Sequence, residues 1–244
     1  MKISKSIALV TGANRGIGRA IVDALVHAGA ERVYATARDA KTLEGLATQY
    51  GARVAPMKLD VTSAADIEAA AKSAGDVTLL VNNAGVLASF GALTSSRAQI
   101  EQDFATNFFG LLDVTRAFVP VLERAGRAGG AAIANVLTVV SLASRPVIAG
   151  YAASKAAAFS LTQALRPELE AKGIDVHSVF PGAVDTDMIR AFPIPKTSPE
   201  VVAAAIVAGI ERGDRDIAPD PFAEDVLHRW RTAPKEFERY FGAL

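Results

Sequence analysis

The chain contains no cysteine, which excludes disulfides, thiolate nucleophiles and thiolate metal sites together. Histidine is nearly as scarce. His27, His177 and His228 are the only three, and their separations match no zinc spacing, so no metal is expected. Lysine plus arginine and aspartate plus glutamate each number 26, leaving a formal net charge of zero. That balance argues against a nucleic-acid partner, even though His228-Arg229-Trp230-Arg231 mixes basic and aromatic residues. Long apolar runs are also missing: stretches such as 7–10 and 78–81 fall far short of the roughly 20 residues that cross a bilayer. The start, Met1-Lys2-Ile3-Ser4-Lys5-Ser6, has no signal-peptide core or cleavage site. The expectation is a soluble cytoplasmic protein with neither membrane nor nucleic acid as partner.

What is present suits one large core, since 244 residues with 50% apolar content can bury most of their surface in a single α/β unit. Short runs rich in Val, Ile, Leu and Ala stand at 7–10, 32–36, 54–58, 77–81, 131–137, 175–180 and, more weakly, 216–218. They are apolar on consecutive positions, as in strands of a parallel sheet covered on both faces. Between them, helical periodicity marks 17–28, ended by Gly29. A capping-box pattern, Ser63-Ala64-Ala65-Asp66, opens 67–74, and Ser198-Pro199-Glu200 opens 201–212. The alternation predicts a single doubly wound Rossmann-type α/β domain spanning 1–244, with a mostly parallel seven-stranded sheet and helices on both faces.

Thr11-Gly12-Ala13-Asn14-Arg15-Gly16-Ile17-Gly18 lies where the first strand gives way to the first helix. Glycines there permit a tight turn and let backbone N–H groups approach a pyrophosphate, which the helix N-terminus then stabilises. The pattern is T-G-x-x-x-G-x-G and not G-x-G-x-x-G, so by itself it is a modest signal. After the second strand an acid would serve the ribose hydroxyl of NAD, whereas arginine would serve the 2′-phosphate of NADP. Both types occur in Arg38-Asp39. Arg15 supplies a second guanidinium for the same phosphate, so NADP(H) is favoured over NAD(H).

Tyr151-Ala152-Ala153-Ser154-Lys155 places a phenol and an ammonium one turn apart on one helix face. A nearby positive charge lowers a phenol's pKa, which would suit it to exchange a proton with a carbonyl or alcohol oxygen.

Together these motifs resemble the classical short-chain dehydrogenase/reductase family over roughly residues 6–190, through six motifs in order. The resemblance implies hydride transfer with a nicotinamide cofactor. In the family, the acid of Leu59-Asp60-Val61 contacts the adenine amino group. Asn82-Asn83-Ala84-Gly85 matches N-N-A-G, which stabilises the central sheet and contacts the adenine-side ribose. Asn107 falls at an asparagine whose backbone carbonyl holds a water linked to the lysine. Pro181-Gly182-Ala183-Val184-Asp185-Thr186 fits P-G-x-x-x-T, whose backbone and threonine engage the nicotinamide carboxamide. The implied catalytic set is therefore Tyr151, Lys155, Asn107 and a hydroxyl that binds the substrate oxygen.

That hydroxyl is the one departure: the family's serine, 13 residues before the tyrosine, is here Thr138, with Ser141 as the fallback. The threonine leaves open an alternative reading, a non-catalytic or weakly active NADP-binding sensor. By the same resemblance, the substrate pocket draws on Val139, Val140, Val147, Ile148, Met188, Ile189, Phe192 and Ile194, with a capping segment at about 187–200. Its apolar character implies an uncharged, hydrophobic ketone, aldehyde or secondary alcohol. Arg190 is the nearest charge and could contact an acidic substrate instead. Family members are commonly homodimers or homotetramers through the helices that here hold Asn107 and Tyr151. Phe222, Val226 and Trp230 recur at spacing four, followed by Phe237, Tyr240 and Phe241, and predict a C-terminal helical segment at about 220–244.

Overall fold

A computed structural model describes residues 1–243. The strand β1 (Ile7–Val10) feeds helix α1 (Gly16–His27), and the alternation continues through β2 (Arg32–Ala37), α2 (Glu44–Tyr50), β3 (Val54–Lys58), α3 (Ala64–Ser73) and β4 (Leu79–Asn82). Helices α4 (Arg97–Phe104) and α5 (Leu111–Ala128) follow, joined by a π-helical segment at Ala105–Gly110 that the sequence periodicity did not announce. Then come β5 (Ala131–Val136), α6 (Ala149–Glu170), β6 (Ile174–Val179), α7 (Pro199–Arg212), β7 (Asp216–Ile217), α8 (Pro221–Thr232) and α9 (Pro234–Ala243). All seven strands run parallel in the order β3-β2-β1-β4-β5-β6-β7. The fold is the expected seven-stranded Rossmann-type sheet. Leu244, the last residue of the predicted C-terminal segment, lies outside the described residues.

Burial explains the runs. Strand β5 is buried at every position, whereas the edge strand β3 alternates and carries Pro56, a residue tolerated where one side of the ladder is open. One face of the sheet packs on Ile21 and Leu25 of α1 and on Ile206 and Ile210 of α7. The other packs on Ile67 of α3 and on Phe118 and Leu122 of α5. A third apolar cluster joins Phe159 and Phe180 to Val226 of α8 and to Phe237 and Phe241 of α9.

The caps are mostly as the sequence predicts. Ser198 Oγ accepts from the Val201 N–H (3.4 Å) with Pro199 at the first helical position. The box at Ser63 closes on one side only. Ser63 Oγ accepts from Asp66 N–H (3.3 Å), but the Asp66 carboxylate turns away to accept from Asp60 N–H (3.1 Å) and Lys58 Nζ (3.0 Å), tying the end of β3 to α3.

A buried polar chain crosses the sheet beneath the site. Asn82 Nδ2 donates to Thr115 Oγ1 (3.1 Å) and to Asn135 Oδ1 (2.9 Å), and Asn135 Nδ2 donates to Thr162 Oγ1 (3.0 Å). It links β4 and β5 to helices on the two sides of the Asn pair, and each member is satisfied. Asn135→Ala would take one partner from Asn82 Nδ2, which keeps Thr115, and one from Thr162 Oγ1, which keeps the Ala158 carbonyl, and should lower unfolding free energy in urea by about 1–3 kcal/mol; a change within experimental error would show that the chain carries no stability.

Candidate active site

The strand order reverses between β1 and β4, and a crevice opens at their carboxyl ends, as at the switch point of doubly wound sheets. The glycine loop begins at the end of β1. Gly12 and Gly16 adopt φ of 65° and 54°, a left-handed turn that favours glycine. A Cβ at Gly18 would overlap the Gly12 carbonyl oxygen and the Asn83 side-chain amide, so the loop closes only with glycine there. Asn83 binds it from the turn after β4: its Nδ2 donates to the carbonyls of Thr11 (2.9 Å) and Gly12 (3.1 Å). In return, Thr11 Oγ1 accepts from the N–H groups of Asn83 and Ala84, both at 2.9 Å.

A cavity of about 1430 Å³ runs from this loop across the sheet ends. Every residue expected to hold the cofactor lines it, from Gly12, Asn14, Arg15, Gly16, Ile17 and Gly18 to Pro181, Gly182, Val184 and Thr186. Arg38, Asp60, Val61, Asn83, Ala84 and Gly85 line it too. An elongated cavity with a glycine cradle at one end fits a nicotinamide dinucleotide.

Of the expected acid–base set, Thr138, Tyr151 and Lys155 line the cavity, whereas Asn107 and Ser141 are buried outside its lining. Thr138 Oγ1 accepts from Val140 N–H (3.4 Å), which leaves its own O–H to donate into the cavity. Ser141 Oγ is buried without a partner. Lys155, also buried, donates from Nζ to the Val136 carbonyl (2.9 Å). Asn107 sits in the π-helical segment. Its Nδ2 donates to the Val86 carbonyl and Ser154 Oγ, both at 2.9 Å, and its Oδ1 accepts from Val86 N–H (2.9 Å). Asn107 Oδ1 and Lys155 Nζ both face Gly85.

Burial pulls the Lys155 ammonium down to about 8, opposed in part by the Asp103 charge. The sequence predicts a phenol lowered by that ammonium, but burial, helped by Asp103, instead pushes Tyr151 above its ordinary value. At neutral pH the phenol therefore holds its proton.

At the adenosine end, the two residues after β2 divide their work. Asp39 caps the turn that follows, its Oδ1 accepting from Lys41 N–H (3.0 Å), while Arg38 lines the cavity. Arg15 departs from its expected place beside Arg38: it pairs with Asp187 at 3.1 Å, and Asp187 also pairs with Arg190. Both guanidiniums are exposed, and such a surface pair is weak enough to exchange for a phosphate.

On the substrate side, Val139 and Val140 are buried, Val147 and Met188 are exposed to the cavity, and Ile148, Ile189, Phe192 and Ile194 line it. Arg190 lies outside that lining. Sequence reasoning missed Asp103 and Asp220. Buried Asp103 accepts from Ala88 N–H (2.8 Å), Ser89 N–H (3.1 Å) and Ser89 Oγ, fixing the chain after the N-N-A-G turn. Buried Asp220 accepts from Ala223 N–H and Gly182 N–H, both at 2.8 Å, so α8 holds the P-G turn in place. Asp-Pro ahead of an apolar stripe is a cap signature that could have revealed it. The stripe itself divides: Val226 is buried, Trp230 packs on Phe159 (5.9 Å), and Phe222 turns to the cavity against Phe241.

A profile of the short chain dehydrogenase family matches residues 6–194. The 3-oxoacyl-(acyl-carrier-protein) reductase of Salmonella typhimurium is 32% identical over 224 residues, covering 89% of this chain and 88% of the relative. A short chain dehydrogenase from Burkholderia cenocepacia, solved in complex with NADP, superposes with a TM-score of 0.91 at 33% identity, covering 99% of each chain. One from Burkholderia phymatum, solved with NAD, gives a TM-score of 0.86 at 26% identity over 98% of this chain and 96% of the other.

The depressed Lys155 makes a pH-dependent contribution to stability. Between about pH 8 and 10 the unfolded chain carries a proton on Lys155 that the native state lacks. Rising pH therefore stabilises the fold through this residue, by up to about 1.4 kcal/mol per pH unit. Tyr151 is protonated in both states up to about pH 9; nearer pH 10 the unfolded phenol begins to ionise while the buried one does not, which opposes the Lys155 gain. Urea unfolding of Lys155→Met should lack this upward component, and parallel pH dependences for variant and parent would refute it.

Proposed function

The chain belongs to the short-chain dehydrogenase family, and we propose that it is an NADPH-dependent reductase of ketones or aldehydes with apolar flanks. Membership makes it an oxidoreductase of the carbonyl/alcohol couple. The reading rests on one observation: a hydroxyl, a phenol and an ammonium share a wall of the cavity whose other end carries Arg38. When bound along the crevice, NADP(H) would supply or accept the hydride. The residues after the P-G turn hold its nicotinamide end. The glycine loop receives the pyrophosphate, and Arg38 receives the 2′-phosphate while Asp39 remains engaged as a cap.

Thr138 donates a hydrogen bond to the substrate's carbonyl oxygen. Tyr151 gives its phenolic proton to that oxygen as the carbon becomes tetrahedral, so that ketone, hydride and proton balance as the alcohol. Lys155 stabilises the phenolate left behind, and solvent restores the proton through Asn107 and a water. A phenol that burial keeps protonated suits the reductive direction. The apolar wall of Val139, Val140, Val147, Met188 and Phe192 receives the substrate's body. The relative's oxoacyl substrate is compatible with such a wall. In this reading the whole chain acts as one dinucleotide-binding unit, with 187–200 as a cap and α8–α9 closing the far side. Phe109, half-exposed on the α4–α5 rod, favours a homo-oligomer through that rod.

Tyr151→Phe should lower ketone reduction by about a thousandfold while NADPH still binds with near-parental affinity in a fluorescence titration. Parental turnover in that variant would refute the acid assignment. With the parent protein, kcat/KM for reduction should fall as pH rises through about 8, where Lys155 loses its charge. Arg38→Ser should weaken NADPH at least about tenfold while leaving NADH nearly unchanged; equal losses for both would remove the basis for NADP selectivity.

A further inference from the structure

The cavity carries a cationic side chain that neither the motifs nor the proposed mechanism uses. Five Lys or Arg residues line it: Arg15, Arg38, Arg145, Lys155 and Lys196. Arg15 pairs with Asp187, Lys155 donates to the Val136 carbonyl and Lys196 donates to the Phe192 carbonyl (2.7 Å). Arg38 stands exposed at the adenosine end.

Arg145 is different. It stands between the Thr138 turn and α6, directly before the short helical turn Pro146–Ile148, whose Val147 and Ile148 line the same cavity six or fewer residues from Tyr151. Its side chain is part-buried, its Nε is fully buried with no hydrogen-bond partner, and no ion pair among the described residues includes it. With Nε enclosed, the guanidinium is held in place, while its two terminal NH2 groups have no protein partner and are not sealed off; an oxyanion on a molecule in the cavity would meet them with charge-assisted, two-pronged hydrogen bonds.

We propose that Arg145 is a specificity-determining residue, and that the substrate is an amphipathic ketone whose far end carries an oxyanion, a carboxylate or phosphate, docked on this guanidinium. The proposal rests on the reductase reading and narrows it. The carbonyl lies at Thr138 and Tyr151, the apolar body runs along Val139, Val140 and Met188, and the anionic end turns towards α6. It replaces the fully uncharged substrate that the apolar positions alone imply, because Arg145 belongs to the same wall. The Arg–oxyanion contact also supplies orientation: with the charged end fixed, only one face of the carbonyl meets the hydride.

The test uses the full-length protein with NADPH and three ketones on one skeleton: 4-oxo-4-phenylbutanoate, its methyl ester, and the matching phosphonate, 3-oxo-3-phenylpropylphosphonate. The parent should prefer one or both anions over the ester in kcat/KM, and their ratio decides between carboxylate and phosphate. In Arg145→Met the acid-to-ester ratio should fall roughly 10- to 100-fold, with Arg145→Lys falling less. An unchanged ratio in Arg145→Met, with both ketones still reduced, would overturn the role of Arg145 and leave the reductase reading intact. Failure of the parent to reduce any ketone would instead count against that reading. A calorimetric readout then decides the Arg145 role independently of turnover: 4-phenylbutanoate should bind the NADP⁺-loaded parent at least about tenfold more tightly than the loaded Arg145→Met protein, and equal affinity would overturn it.

Discussion

The chemistry of this molecule depends on how closely the ends of β1 and β4 are held together. Two neighbouring strands in a parallel sheet give backbone ends facing the same way, but the crevice between them becomes a binding site only if both turns stay open to a ligand. Here the Asn83 amide grips the carbonyls of Thr11 and Gly12, and the Thr11 hydroxyl receives the N–H groups of Asn83 and Ala84. With those polar groups satisfied by one another, the α1 N-terminus faces the cavity. Gly18 is the steric condition for the arrangement, since any side chain would part the two turns.

Behind that clamp, burial sets the electrostatics. Lys155 pays the desolvation cost of a nearly enclosed ammonium and holds one carbonyl, and Tyr151 beside it is kept neutral. The two shifts point in opposite directions for the same reason: low polarity disfavours whichever form is charged. Asp103, satisfied by two N–H groups and a hydroxyl, is the nearby negative charge that raises both. Around the phenol, the charges are therefore few, and Lys155 and Asp103 are each anchored by backbone, in a chain that has no thiol and few imidazoles to work with.

Much of this was legible in the sequence because it is local. Seven apolar runs became seven parallel strands, since strands buried on both faces must be apolar on consecutive positions. The glycine spacing and the Tyr151–Lys155 interval reflect one turn and one helix, so they survive without tertiary information. What the sequence hid depends on long-range placement. Asp220 reaches Gly182 across 38 positions, Phe222 leaves its own stripe to face the cavity, and Arg15 finds Asp187 at the opposite lip. Arg145 carries no signal in sequence because it is a lone charge beside Pro146-Val147-Ile148 and belongs to no motif. Its isolation from any carboxylate is a property of the folded wall. The direction of the Tyr151 shift is hidden for a related reason, since the neighbouring charge is visible in sequence and the depth of burial is not.

Hydride transfer in this cavity would need a nicotinamide ring to meet a carbonyl carbon in front of Tyr151. Isotope transfer tests it most directly: an aryl ketone is reduced in separate reactions with NADPH bearing deuterium at either of its two C4 positions, and the alcohol is weighed by mass spectrometry. The alcohol should be one mass unit heavier from one C4 epimer and unlabelled from the other. Alcohol without deuterium from both, or no alcohol from any carbonyl tried, would contradict it.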